Sequence, residues 1–558
     1  MNKRATILCG AFMASAMALT QQSNACTNII VTRGASKDNS AMVSYAADSH
    51  WLYGELYFHP AMDWKDGTML NIVEWDTSKP LGQIPQAPHT YKTVGNMNEH
   101  QLIIGETTWG GRLELMDSTA IMDYGSLIYV ALQRARTARE AIQVIVDLAN
   151  EYGYASEGES FSIADKNEAW VMDLIGKGVE MKDGKNVNKG LVWVARRIPD
   201  GYICAHANQA RIQTFPLDDP ENCLYAPEVI EFARSKGYFS GKDEDFSFAD
   251  AYAPADFSGM RFCEARVWSF YNKWVDGMDK YLDYVDGRHI GQAEPMPLYF
   301  RARTKLTLAD VMESMRDHYE GTPFDVTTDC GAGPYQAPYR PTPLTWEYEG
   351  RRYFNERPIS TQQTAATMVI QVRPNMPNAV GGIIWFGNDD PNMVPFTPIY
   401  CSATAAPVCY DTPDASDVKF SWQSAFWVQN WVANMTYPRY SQLFPSLRQA
   451  RAELEQGYLA AQHNVEEHAL KLYQQSPDEA IRFLTHYSSD CATRMMQRWT
   501  ALGQYLIVKY NDQVVRPEKD GRFLLTPDSL GQRPVRPGFN DAYKRTIIRE
   551  TGNKYLMP

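Results

Sequence analysis

Cys26 sets the first constraint on this chain, because the residues before it read as material to be removed and the residues after it read as the opening of a β-hairpin. Lys3 and Arg4 give a positive start, Ile7 to Leu19 form an apolar stretch, and Ser23 and Ala25 put small side chains at the two positions a signal peptidase inspects. Cleavage after Ala25 makes Cys26 the N-terminus. The stretch falls short of the roughly 20 residues that span a bilayer and is interrupted by Ser15, which favours a removable leader over residues 1–25. The mature protein is then expected in the periplasm or secreted.

A leading cysteine has three explanations: a lipid attachment point, a structural side chain, or a catalytic unit of thiol and free amine. Lipoprotein sites usually carry Leu, Val or Ala three residues before the cysteine, where this chain has Ser23. Acylation would also remove the amine, so the two functional explanations exclude each other. The catalytic one has a physical basis: an α-amine titrates near 7.7 to 8.0, against about 10.4 for a lysine. Such an amine can take the thiol proton directly or through one water, and the thiolate then attacks an amide carbonyl. The same group protonates the departing amine, and water hydrolyses the thioester. This chemistry needs no metal and no organic cofactor.

After Cys26, the run Thr27 to Thr32 is β-prone, "SKDNS" supplies a turn and "AMVSYAA" extends again. "ESFSIADKNEAWVMDLIG" predicts a second hairpin turning at Asp165 to Glu168, and "GLVWVARRIPDGYICAHANQARI" continues in strands. "SLIYVALQRARTAREAIQVIVDLANEYG" predicts two helices, with Thr137 and Glu140 in capping-box spacing and Gly153 as a stop. Ser446 with Gln449, and Ser476–Pro477 with Glu479, predict the starts of two long C-terminal helices. Together with the strands "TMVIQVR" and "VGGIIWFG", this alternation predicts an α+β fold of two sheets packed between helices. The expected division is a main domain over 26–440, a helical hairpin over 441–510 and a tail over 511–558.

Composition removes several function classes. The chain of 558 residues carries 54 basic and 66 acidic residues, a net charge of -12, without a basic cluster, which argues against a nucleic-acid partner. No later apolar run has transmembrane length. Among nine cysteines no CxxC pair suggests zinc or redox work, and the seven besides Cys9 and Cys26 cannot all pair, although an oxidising compartment permits some disulfides.

The ordered segments "ACTNIIVTRGASKDNSAMVSYAADSH", "NEHQLIIGETTWGGR", "RTAREAI", "RDHYEGTPFD", "NERPIST" and "GGIIWFGNDDPNMVPFTPIY" resemble the dipeptidases of the cysteine-type N-terminal nucleophile hydrolases, the family that includes the secernins. The resemblance runs from Cys26 to about Arg439. It implies a four-layer αββα fold, here with a C-terminal helical extension, and hydrolysis of dipeptides by Cys26. It also implies an aspartate near the nucleophile, which here is Asp48; the alternative for Asp48 is a turn or cap residue. Asn208 in "AHANQAR" matches an oxyanion donor, against a strand-end turn residue. Arg266 in "FCEARVWSFYN" matches an arginine near the nucleophile, against a salt bridge to Glu264. Related acylases place an arginine three residues before the aspartate, where this chain has Tyr45, and a second oxyanion donor where it offers Thr108. His100 and His206 suggest a histidine base that a terminal amine makes unnecessary; His318 has no assigned role. The expectation is an exported cysteine dipeptidase acting on a dipeptide substrate, with homo-oligomerisation left open. The alternatives are an N-acyl amide hydrolase of the penicillin V or bile-salt acylase kind, and a lipoprotein anchored through Cys26.

Overall fold

The computed structural model describes residues 26–50, 52–527, 531 and 534–558, so the leader read at 1–25 lies outside the described residues. The first hairpin forms as expected: β1 (Thr27–Val31) pairs antiparallel with β2 (Ala41–Asp48) in the register Thr27↔Ala46 to Val31↔Met42. Its turn is built locally. Asn39 adopts the left-handed region, with φ of 59°, and the Asp38 carboxylate accepts from the Ser40 backbone N–H at 3.1 Å, the short-range bonding that favours Asp and Asn in turns.

The remaining principal strands are β3 (Ile103–Trp109), β4 (Gly158–Ala164), β5 (Ala169–Gly176), β6 (Leu191–Arg197), β7 (Ile203–His206), β8 (Thr364–Val372), β9 (Ile383–Asn388) and β10 (Thr397–Tyr400). They form two antiparallel sheets. One runs β7-β1-β2-β8-β9-β10, with Tyr299–Phe300 added beyond β7; the other is centred on β6-β5-β4-β3. The β4–β5 hairpin turns where expected. By contrast, β6 and β7, contiguous in sequence, belong to different sheets. The crossing is anchored by Thr32, whose hydroxyl oxygen accepts the Gly201 and Tyr202 N–H groups, each at 3.0 Å.

Strand alternation explains why the sheets must be covered on both faces. Ile30, Val43, Ile103, Val171 and Ile370 point into the space between the sheets. Their neighbours Ile29, Val31, Met42 and Val369 point outward with Trp268, Val311, Ala469 and Leu484 of helices. On the other sheet Ile104, Phe161, Trp170 and Met172 pack against Leu127, Ile142 and Ile145. Each fully buried aliphatic side chain contributes about 1.5–3 kcal/mol, so a sheet apolar on both faces is stable only between other layers.

The covering helices are α1 (Tyr124–Arg134) and α2 (Ala138–Tyr152) on one side, and α3 (Ala265–Trp274), α4 (Leu308–Ser314), α5 (Tyr440–Gln475) and α6 (Pro477–Tyr510) on the other. Thr137 caps α2 through the Glu140 N–H, and Gly153 ends it at φ of 81°. Ser476 caps α6, with Pro477 in the first turn. The start of α5 differs from expectation: it begins at Tyr440 and runs through Pro445, so Ser446 is not its cap. The helical pair also packs on the sheet: Ser488 Oγ accepts from the Tyr400 N–H at 3.2 Å, and Arg373 pairs with Glu466 at 2.5 Å. No helix among the described residues is long and apolar enough to cross a membrane. The eight described cysteines form no disulfide.

Candidate active site

The β1–β2 register brings Cys26 beside Ala47 and Asp48 at the end of the first sheet. Its buried thiol donates to Glu106 Oε1 at 3.0 Å, and the Tyr45 hydroxyl donates to the same oxygen. The Asn28 side-chain amide donates to the Glu106 carbonyl, which ties β1 to β3 across the two sheets. The backbone N–H of Asp48 is directed at the sulfur. Burial, and then the carboxylates of Glu106 and Asp48, push the Cys26 thiol well above its ordinary value. The sulfur therefore holds its proton until a base removes it.

Asp48 lies on the far side of β2. A register shift between Ala47 and Asp48 re-aims its side chain, a common effect of a β-bulge. Its oxygens accept from Thr364 Oγ1 at 2.6 Å and from Arg357 Nη2 at 2.8 Å. Burial raises the Asp48 pKa against the opposing pull of Arg357 and Thr364.

Arg266 stands in the first turn of α3, directly after a π-helical stretch, Gly259–Glu264. It is fully buried and donates in five directions: to Phe262 O at 2.7 Å, Cys26 O at 2.7 Å, Thr27 Oγ1 at 2.7 Å, Ala207 O at 3.2 Å and Asn208 Oδ1 at 2.8 Å. A guanidinium has five N–H donors, so this one is saturated by the protein itself. It does not pair with Glu264, which binds Arg211 at 2.9 Å.

Asn208 comes after β7 in the left-handed region, with φ of 59°, a conformation Asn tolerates better than most residues. With its oxygen held by Arg266, its nitrogen donates to Thr108 O at 2.6 Å. Cys26, Asn208 and Arg266 are thus one connected set, with Asp48 adjoining it. Thr108 fits the second-donor role poorly, because its hydroxyl donates to Glu159 Oε2 at 2.9 Å. The histidines lie elsewhere. His206 is bridged by Thr107 and Ser162 at 2.7 and 2.6 Å, His318 pairs with Glu320 at 3.0 Å, and His100 stacks edge-on against Tyr91.

Sequence reasoning missed four residues here: Tyr45 as a donor, Glu106, Glu159 and Arg357. Glu106 is 1% exposed and Glu159 is 0% exposed, and their carboxyls interact directly. Glu106 Oε2 and Glu159 Oε1 have no other donor, so one carboxyl must carry a proton that the other accepts. Burial raises both, Glu159 strongly, with the charge of Glu106 adding to it, whereas the bonds from Tyr45 and Cys26 oppose the rise at Glu106. Glu106 and Arg357 stand inside "GETTWGG" and "NERPIST", so the signal for both was their place in those segments. Tyr45 also walls a pocket lined by Tyr57, Trp75, Tyr124, Tyr129 and Phe386. Among the described residues, the grouping that could hold a cation is Asp283, Asp286 and His289; none of them belongs to the set around Cys26.

Comparison with known proteins gives these features a context. The model of peptidase family C69 matches residues 53–453, a span that contains Glu106, Asn208, Arg266 and Arg357 and begins after Cys26 and Asp48. A probable dipeptidase of Latilactobacillus sakei is 23% identical over 510 residues, covering 87% of this chain and 95% of that protein. A probable dipeptidase of Salmonella dublin is 24% identical over 67% of this chain and 81% of its own length, and dipeptidase A of Lactobacillus helveticus 23% identical over 79% and 87%. With the family match extending over well over half of the chain, the chain belongs to peptidase family C69.

Proposed function

We propose that the protein is an exported dipeptidase with the four-layer αββα N-terminal nucleophile hydrolase fold, in which removal of residues 1–25 exposes Cys26 as nucleophile. The observation that carries this reading is the placement of Cys26 Sγ at the end of β1, with its own carbonyl fixed by Arg266 and Asn208 fixed beside it. The similarity to proteins named dipeptidase supplies the substrate class.

In this mechanism the freed α-amine of Cys26 takes the proton of a thiol that burial otherwise keeps protonated, and the thiolate attacks the peptide carbonyl. Asn208 donates to the oxygen on which charge develops, a role that stabilises the transition state more than the ground state. Arg266 acts through others: it holds the backbone of Cys26 and the amide of Asn208. Asp48, balanced by Arg357, orients the new terminus. The leaving amine departs with a proton from the Cys26 amine, and water resolves the thioester.

The test is intact mass and N-terminal sequencing of the exported protein, followed by assay of that protein on unblocked dipeptides, tripeptides and N-acyl amides. Mature protein beginning at a free Cys26 and turning over dipeptides fastest is expected. An active form retaining residues 1–25 overturns the mechanism. A lipidated Cys26 supports the anchor, and fastest turnover of N-acyl amides supports an acylase.

A further inference from the structure

Resting on the dipeptidase reading, we propose that Glu106 selects a free N-terminus by receiving the α-ammonium of a dipeptide whose scissile carbonyl lies over the Cys26 sulfur.

Three observations carry it. First, Glu106 Oε1 is 3.0 Å from the sulfur. In a dipeptide the amine nitrogen is two bonds from the carbonyl carbon, about 2.5 Å away by standard backbone dimensions. A sulfur poised at a near-attack distance of about 3 to 3.5 Å from that carbon therefore has the substrate's amine within reach of a carboxylate at its own side. Second, the carboxyls of Glu106 and Glu159 meet while fully buried, each with an oxygen that no other donor reaches, and neither forms an ion pair with a Lys, Arg or His among the described residues. A buried charge is retained at a cost unless something pairs with it; a cationic ligand group supplies that partner. Third, the cations near the sulfur are committed: Arg266 is saturated by five acceptors, Arg357 is paired with Asp48, and the freed Cys26 amine is assigned above to Asp48 and to the thiol proton. The amine end, rather than the carboxylate end, of a short peptide finds its counter-charge here. Tyr45 fixes the receiving oxygen and also walls the aromatic pocket, so the first side chain, branching from the carbon that carries the amine, faces apolar surface.

An N-acylated substrate has no ammonium and leaves the carboxylate unpaired, which is discrimination by desolvation as well as by lost attraction.

The experiment compares mature wild type, Glu106→Gln and Tyr45→Phe on leucyl-glycine and N-acetyl-leucyl-glycine, with the rate of iodoacetamide alkylation of Cys26 as a substrate-independent readout. For Glu106→Gln, kcat/KM on leucyl-glycine is expected to fall roughly 30- to 5000-fold, the range for truncating one partner of a buried charge pair. The loss should lie mainly in KM, with alkylation as fast as in wild type or faster. The preference for the unblocked substrate collapses with it. Tyr45→Phe keeps the charge and is expected to shift the same preference in the same direction by less than tenfold, which tests the idea should Glu106→Gln fold poorly. A preference unchanged in both variants overturns the proposal, and so does a loss confined to kcat with slowed alkylation, which would assign Glu106 to the thiol. Faster turnover of the acetylated substrate by wild type itself would instead overturn the dipeptidase reading.

Discussion

Cys26 stands between two polar clusters of opposite construction. On the helix-covered side of β1 the cluster is closed and its donors are taken: Arg266 spends every N–H on neutral protein acceptors, and Arg357 forms an ion pair with Asp48. On the side facing β3 the charges are open: two buried carboxyls share a proton and no cation meets them among the described residues. The difference separates scaffold from seat. A satisfied buried network holds geometry and offers nothing to a ligand, whereas an incompletely paired one gains most when a ligand completes it.

The comparison breaks most completely at the sulfur that both clusters serve. Cys26→Ala is expected to reduce turnover to the uncatalysed background while processed protein keeps its circular dichroism, because a methyl group is accommodated at the buried site but cannot attack a carbonyl. Near-normal turnover by correctly processed variant would remove Cys26 from the chemistry. Next comes the closed cluster. Arg266→Met leaves five neutral acceptors without their donor, at about 1–3 kcal/mol for each that stays buried and unsatisfied, so a loss of at least about 3 kcal/mol in urea unfolding is expected. Arg266→Lys should recover little of it, since a point charge does not reproduce a planar fork. A variant as stable as wild type would show that the cluster is not scaffold. Asn208→Ala ranks third: kcat is expected to fall roughly 10² to 10³-fold with KM changed little, and an effect confined to KM would move Asn208 to substrate positioning.

The two clusters were unequally legible in the sequence, for a physical reason. Strand and helix periods, the Thr137, Gly153 and Ser476 boundaries and the first two hairpins are local properties, and each appears where the chain predicts it. The passage of β6 and β7 into different sheets is not local, because adjacent strand runs look alike whether they pair or part. The closed cluster was reached through residues that the family resemblance marks, Asp48, Asn208 and Arg266. The open cluster was not: Glu106 and Glu159 are far apart in the chain and meet only through the β3–β4 ladder, where Thr108 faces Glu159. Tyr45 registered as a missing arginine, and its meaning depends on Glu106, 61 positions away.

The smallest effect on activity is expected at a polar residue that neither cluster uses. His206 is fully buried between the sheets, opposite Asn28 in the β1–β7 register, with both ring nitrogens on hydroxyls. Burial, and then Arg211, depress its pKa to about 3, so it is neutral at working pH and stays neutral in moderate acid. The unfolded chain titrates His near 6.5. Above that pH neither state binds the proton and the site imposes no penalty; between about 6.5 and 3 only the unfolded state binds it, so stability falls with pH by about 1.4 kcal/mol per unit. Asp173 acts in the opposite sense: burial raises its carboxyl to about 6, the folded state binds the proton first, and stability gains as pH drops from about 6 towards 4. Only the difference between wild type and His206→Gln therefore isolates the histidine. The variant is expected to lose about 1–3 kcal/mol at neutral pH through a disturbed bridge and to unfold with a shallower dependence on acid. Its kcat/KM above pH 7 should stay within a few-fold of wild type. Abolished turnover in a folded His206→Gln protein would instead make this histidine the base and draw a third cluster into the site.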